Sequence, residues 1–236
     1  MLSRRHHLLW LALLVGLAAS FSGAHAGGLN DTGIKTCSNA TENGLPCPVA
    51  GFPGQDAEYG SNGFDFTKLD ANGNALPASA TNHACVRDNV TGLTWEVKTA
   101  NGSLRDKNWT YTWYDSNPAT NGGALGTASG GACHDTGRCD TEKYAQDVNA
   151  TGLCGFRDWR IPTPNELLSI VDNSIPYPGP TINVGYFPNT QSSFFWSSSP
   201  YAGYSSNARY GSFYYGDVNG DFRSSALAVR LVRGGQ

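Results

Sequence analysis

Few residues in this chain have the types and spacing that covalent chemistry needs. Beyond residue 26 there are two histidines, His83 and His134, and neither stands in a catalytic pattern. No Gly-x-Ser-x-Gly elbow, His-Glu-x-x-His helix or phosphate-cradling glycine loop occurs. Asp217 and Asp221 could pair as acid and base. They stand in Asp217-Val218-Asn219-Gly220-Asp221, however, and the Asn-Gly step explains them as a hairpin turn. That stretch and Asp70-Ala71-Asn72-Gly73-Asn74 both look briefly like calcium loops. Such a loop needs Gly at its sixth position and a bidentate Glu at its twelfth. Those positions hold Ala75 and Thr81 in one case, Phe222 and Ala228 in the other. No enzyme and no cofactor is expected, with calcium the one ion left open.

What remains is binding chemistry. Tyr201, Tyr204, Tyr210, Tyr214 and Tyr215 crowd one segment, interleaved with Asn, Asp and Arg. Tyrosine supplies rigid contact area, and polar neighbours supply hydrogen bonds to hydroxyls. For a glycan ligand the candidate residues are Tyr201, Tyr204, Tyr210, Tyr215, Asp217 and Arg223. The other reading of these aromatics is contact with a surface protein or with sister copies of the chain. Trp109, Tyr111 and Trp113 alternate along another stretch and could stack on sugars, but a strand of this kind ordinarily buries one face, which makes them core.

The elements that must position these residues are punctuated clearly. Thr163-Pro164-Asn165-Glu166 reads as a capping box with proline at the first helical position. Leu167, Leu168, Ile170 and Val171 then predict a core-facing helix that stops near Asp172-Asn173. Asp140 or Thr141 caps an earlier helix, with Tyr144, Ala145 and Val148 on one face and Gly152 as its stop. Leu93, Trp95 and Val97 alternate with Thr94 and Glu96, the pattern of a half-buried strand. Residues 211–217 and 227–232 read as neighbouring strands joined by the Asp217–Asp221 turn. Leu227, Val229 and Leu231 would face the core, leaving Arg230 on the other face and Arg233 at the strand end, each solvated or in a salt bridge.

Charge and export set further bounds. The chain has 16 Lys and Arg against 19 Asp and Glu. Arg4 and Arg5, the apolar run Leu8–Phe21 and Ala24-His25-Ala26 form a secretory signal, so residues 1–26 are expected to be removed. Without Arg4 and Arg5 the count is 14 against 19, a formal −5. That balance argues against binding nucleic acid, which needs a basic surface. The apolar run is too short for a membrane span. Residues 27–84 are rich in Gly, Asn, Asp and Pro, and read as an irregular extension with one short strand near Phe64-Asp65-Phe66. The domain proper is expected over 85–236.

The run Leu153-Cys154-Gly155-Phe156-Arg157-Asp158-Trp159-Arg160-Ile161-Pro162-Thr163 resembles the hallmark of a bacterial secreted family, the C-terminal domain of the Lcl collagen-like adhesin. Asp88-Asn89-Val90-Thr91-Gly92-Leu93-Thr94-Trp95-Glu96, Phe195-Trp196-Ser197-Ser198 and Val229-Arg230-Leu231-Val232-Arg233 match in the right order. The resemblance covers roughly 85–233. It implies an α+β, C-type-lectin-like fold: two helices, a small mostly antiparallel sheet, long loops and disulfide ties. It is similar, more distantly, to the formylglycine-generating enzyme group, but no cysteine follows Cys154 to serve that chemistry. The resemblance also implies an adhesin-like role at the cell surface or in the periplasm, and a possible homo-oligomer. The adhesin's association with sulfated polysaccharides fits poorly with a negative chain.

Six cysteines, Cys37, Cys47, Cys85, Cys133, Cys139 and Cys154, allow fifteen connectivities. Cys37–Cys47 would close a short loop. The family resemblance, with a helix between them, implies Cys139–Cys154, which leaves Cys85–Cys133.

Overall fold

The structure is a computed structural model, and it describes residues 30–59 and 63–234. The expected signal segment, residues 1–26, lies outside the described residues. Within them the fold is α+β, built from two antiparallel sheets, two helices and three disulfides. The strands are β1 (Phe66–Leu69), β2 (Ala75–Leu76), β3 (Cys85–Asp88), β4 (Thr94–Glu96), β5 (Phe194–Pro200), β6 (Asn207–Ser212), β7 (Val218–Phe222) and β8 (Val232–Arg233). The helices are α1 (Thr141–Thr151) and α2 (Pro164–Leu168). One sheet has the order β2-β1-β3-β4-β8, the other β5-β6-β7.

The extension does more than pack on the domain. Asp70 and Gly73 turn the chain between β1 and β2, and β1 pairs with β3 along its whole length. Asp70 Oδ1 accepts from the Asn72 and Asn74 amides, so the first apparent calcium loop is a hydrogen-bonded turn.

β4 is buried on both faces, where alternation predicted one. Trp95 lies in one core, while Glu96 is fully buried on the other side. The Glu96 carboxylate accepts from Tyr144 Oη, from Lys98 Nζ at 3.1 Å and from the Leu231 amide at 2.9 Å. Burial lowers the Lys98 pKa, opposed by the Glu96 charge. Arg230, expected solvated or at a surface salt bridge, is also fully buried. It donates to Glu96 O at 2.8 Å and to Thr190 Oγ1 at 2.5 Å, beside the rings of Phe187 and Phe195. Burial pushes its pKa down to about 10, so it stays a cation at neutral pH. A buried charge is costly unless paired and hydrogen-bonded. Lys98 pairs with Glu96 directly, while Arg230 feels the Glu96 charge and is bonded through its terminal nitrogens, its Nε left without a partner. This network ties β4, α1 and the last segment of the chain together.

The last segment is not the long strand expected. Only Val232 and Arg233 enter a sheet, and residues 228–232 are all buried, so neither face of the segment is wet. Leu227 and Ala228 make single bridges to Tyr111 and Phe195, which joins the second sheet to the first. Leu227, Val229 and Leu231 pack into one core as predicted, and Arg233 at the strand end grips Asp158 at 2.7 and 3.1 Å. Tyr111 and Trp113 are core, each 1% exposed.

The helices follow their caps. Asp140 accepts from the Lys143 amide, and Gly152 ends α1 in the left-handed region at φ 67°. Thr163 and Glu166 form the full capping box of α2. α2 is shorter than predicted. Its helical span ends at Leu168, which is exposed, while Leu167, Ile170 and Val171 are buried.

The disulfides are Cys37–Cys47, Cys85–Cys154 and Cys133–Cys139. The expected Cys139–Cys154 and Cys85–Cys133 pairs do not form. The helix works against the Cys139–Cys154 pair: eleven residues of α1 hold its ends roughly 16 Å apart, and a disulfide tolerates a Cα separation of only about 7 Å, so both short flanks would have to fold back along α1. Cys139 instead closes a tight loop with Cys133, and Cys154 fastens the far end of α1 to β3.

Candidate functional site

The tyrosine-rich segment folds as a hairpin, but its turn lies elsewhere than predicted. Ser212 Oγ accepts from the Tyr214 and Tyr215 amides, and Gly216 at φ 78° closes the turn. Asp217–Asp221, read as the turn, leads into and forms most of β7. Gly220 is there for close approach: a Cβ would lie 2.2 Å from Tyr201 Cδ2.

This arrangement scatters the six predicted ligand residues. Tyr201 and Tyr204 are neighbours, with ring centroids 5.8 Å apart and Arg209 over the Tyr201 ring. They stand where β6 begins and β7 ends. Tyr215 stands at the other end, in the turn, stacked on Tyr177 and against Tyr214. Tyr210 is half-buried, 4.7 Å from the Phe194 ring. Asp217 is exposed, and its carbonyl accepts the Ser212 amide. Arg223, expected at the binding surface, is 3% exposed. It lies over Trp113 and donates to the Asn207, Asn121 and Ala124 carbonyls, so its guanidinium is an internal strut.

The structure places a cleft of about 740 Å³ away from those residues. Ligand sites are commonly clefts of ~300–1,000 Å³ with an apolar floor and a few placed polar groups. Four separate segments line it. α1 presents Glu142, Ala145, Gln146 and Asn149, which share one face by their i, i+3, i+4, i+7 spacing. The lead-in to α2 supplies Trp159, Arg160, Ile161, Thr163 and Glu166. Ser198, Ser199 and Pro200 come from the end of β5, and Trp113, Tyr114, Asp115 and Thr120 complete the lining. Trp113 and Trp159 back the cleft from the core and are nearly closed to solvent.

Local hydrogen bonds hold these segments in place. The Asn149 side chain accepts from the Trp159 amide at 2.7 Å and donates to its carbonyl at 2.8 Å, so α1 is bolted to the lead-in of α2. The Ser198 amide donates to Pro162 O at 2.7 Å, and Trp113 Nε1 to Ser197 O at 2.8 Å. Thr141 Oγ1 donates to Tyr114 O, and the Ser116 amide donates to Glu142. The cleft is therefore pre-formed.

Its charges are set by the same contacts. Arg160 holds Glu166 through two bonds of 2.8 and 2.6 Å. Burial works to raise the Glu166 pKa, but Arg160 and the Thr163 amide outweigh it, and the net shift is downward. Asp115 accepts from the Asn117 amide and Thr120 Oγ1, and Glu142 from the Ser116 amide and Gln146 Nε2, all neutral donors.

The family described as the Lcl C-terminal domain matches residues 84–233. The chain belongs to that family. Neither a curated protein nor a solved structure matches it. Within this Lcl C-terminal domain, the end of the hallmark stretch lines the cleft. Trp159 to Thr163 and Ser198 are among the residues that carried the resemblance, and all of these but Pro162 border the cavity. In the sequence they mark only a helix start and a strand. The three disulfides belong to an oxidising, extracytoplasmic setting. Among the described residues no helix is long and apolar enough to cross a membrane, and no three His, Cys, Asp or Glu side chains group as metal ligands.

Proposed function

We propose that this Lcl C-terminal domain is a non-catalytic carbohydrate-binding module of an exported protein, and that the cleft beside α1 holds the ligand. The observation that carries the reading is the pre-formed cavity of about 740 Å³, lined by carboxylate, hydroxyl and amide groups together with Ala145, Ile161 and Pro200. Sugars present the matching chemistry, apolar ring faces edged by hydroxyls. The non-catalytic reading rests on the occupation of the lining groups: Asn149, Thr141, Glu166 and Arg160 are all bonded to the fold itself. His83 lies outside the lining, its ring bonded to Tyr186 O. A C-type-lectin-like layout and a place at the cell surface or in the periplasm are part of the same proposal.

The test is a broad glycan array probed with the oxidised chain 27–236, with and without calcium. Binding to one sugar class, unaffected by calcium, is the expected result. It should fall at least tenfold in Gln146→Trp, which sets a bulky ring on an exposed α1 position of the lining. Binding that ignores the substitution would remove the cleft from the proposal.

A second reading, an assembly module, draws on one observation. Tyr177 and Tyr215 are 62% and 60% exposed yet stacked on each other, an aromatic patch suited to a protein partner. A mass that rises with concentration in sedimentation, lost in Tyr215→Ala, would favour it.

A further inference from the structure

We infer that the cleft selects an uncharged glycan and rejects sulfated and uronic ones, an inference that rests on the carbohydrate reading above. The argument is a count of unpaired charge. Among the lining residues one is cationic, Arg160. Its NH1 and NH2 groups donate to the two Glu166 oxygens, and NH2 donates again to Gly234 O at 2.9 Å, so its fork is occupied. An arginine recognises sulfate or carboxylate by turning that same planar fork toward it, and here the ligand would have to displace Glu166. The capping box makes that displacement costly, because Glu166 also accepts the Thr163 amide at the start of α2.

The remaining charges are negative. Asp115 and Glu142 accept only from amides, a hydroxyl and a carboxamide, and none of these donors neutralises them. The cleft therefore presents two carboxylates that no cation hydrogen-bonds; the buried Arg223 charge acts on Asp115 only through space, and Glu142 has no such partner. An anionic sugar would bring like charges together at these half-exposed carboxylates, a repulsion that salt weakens. A neutral sugar meets the same oxygens as hydrogen-bond acceptors for its hydroxyls, and charge-assisted bonds are the stronger kind. The nearby cations point elsewhere. Lys143 on α1 is held by Asp140 and Ser129, and Arg223 is buried against Trp113.

The experiment titrates the oxidised chain with cellotetraose, chitotetraose, maltotetraose and mannotetraose, and with the O-sulfated derivative of each, at 50 and 500 mM NaCl. The expected result is a neutral tetrasaccharide as the tightest probe, with affinity flat in salt and lost in Gln146→Trp. Its sulfated derivative should bind at least tenfold more weakly, and Asp115→Asn with Glu142→Gln should narrow that gap. A sulfated probe that binds as tightly as its parent, and is still lost in Gln146→Trp, overturns the charge inference and leaves the glycan-binding cleft standing. An unchanged gap in the double variant also overturns it, because the two carboxylates would then not set the preference. If no probe binds in a way that Gln146→Trp abolishes, the carbohydrate reading itself fails, and the inference with it. Ser199→Trp, from β5, repeats the block should Gln146→Trp melt at lower temperature than the parent chain.

Discussion

The hairpin of residues 201–223 and the cleft beside α1 differ in how they are assembled. The hairpin is continuous in sequence and rich in tyrosine, yet its side chains part to opposite ends of β6 and β7, and Arg223 turns inward. The cleft draws on residues from Trp113 to Pro200, few of them conspicuous, and brings them around one cavity. Density of binding-type residues along a chain is therefore a poor guide to density in space. Hairpin residues alternate between faces and run away from one another at ~3.3 Å per step. A helix face and a strand end can meet across long sequence distances with no local mark.

The sharpest test of this contrast is Arg223, counted with the hairpin by sequence and with the interior by structure. Arg223→Ala should cost about 3 kcal/mol, because one buried and two part-buried carbonyls lose a charged donor and the side chain leaves a gap over Trp113. Urea denaturation measures this, and a loss under 1 kcal/mol would return Arg223 to the surface. Glu166 probes the cleft side. Glu166→Gln should cost about 1 kcal/mol at neutral pH, the scale of a partly exposed bidentate pair. The folded-state pKa of Glu166 is depressed, so its contribution is fully present above the ordinary value of 4.5 and disappears as pH falls through the folded value. The stability gap between parent and variant should therefore close in acid; a gap constant down to pH 2 contradicts the assignment. The smallest effect is expected at Tyr204, 65% exposed, and Tyr215. Alanine at either should change stability by less than ~0.5 kcal/mol and leave binding in the cleft within twofold. A tenfold loss of glycan binding in either variant would restore the hairpin as the site.

Some of this was legible before any coordinates. Asp140, Gly152, Thr163 and Glu166 announced both helices, because a cap is satisfied within three or four residues of itself. Cys37–Cys47 was legible for the same reason of proximity. The Asn219-Gly220 step misled because a glycine marks either a turn or a close contact, and only the Tyr201 ring beside it separates the two. Arg230 misled because alternation assumes one wet face, and the last segment has none.

The sequence by itself determined the family, the α+β class and the helix starts, all carried by short-range hydrogen bonds and by motifs read in order. Only the tertiary structure decided the two long-range matters. The rigid length of α1 separates the flanks of Cys139 and Cys154, and the packing of its far end against β3 puts Cys154 on Cys85. The meeting of α1, the α2 lead-in, β5 and the Trp113 stretch made the cleft. Both depend on distances between segments far apart in the chain, which packing sets and local pattern does not contain.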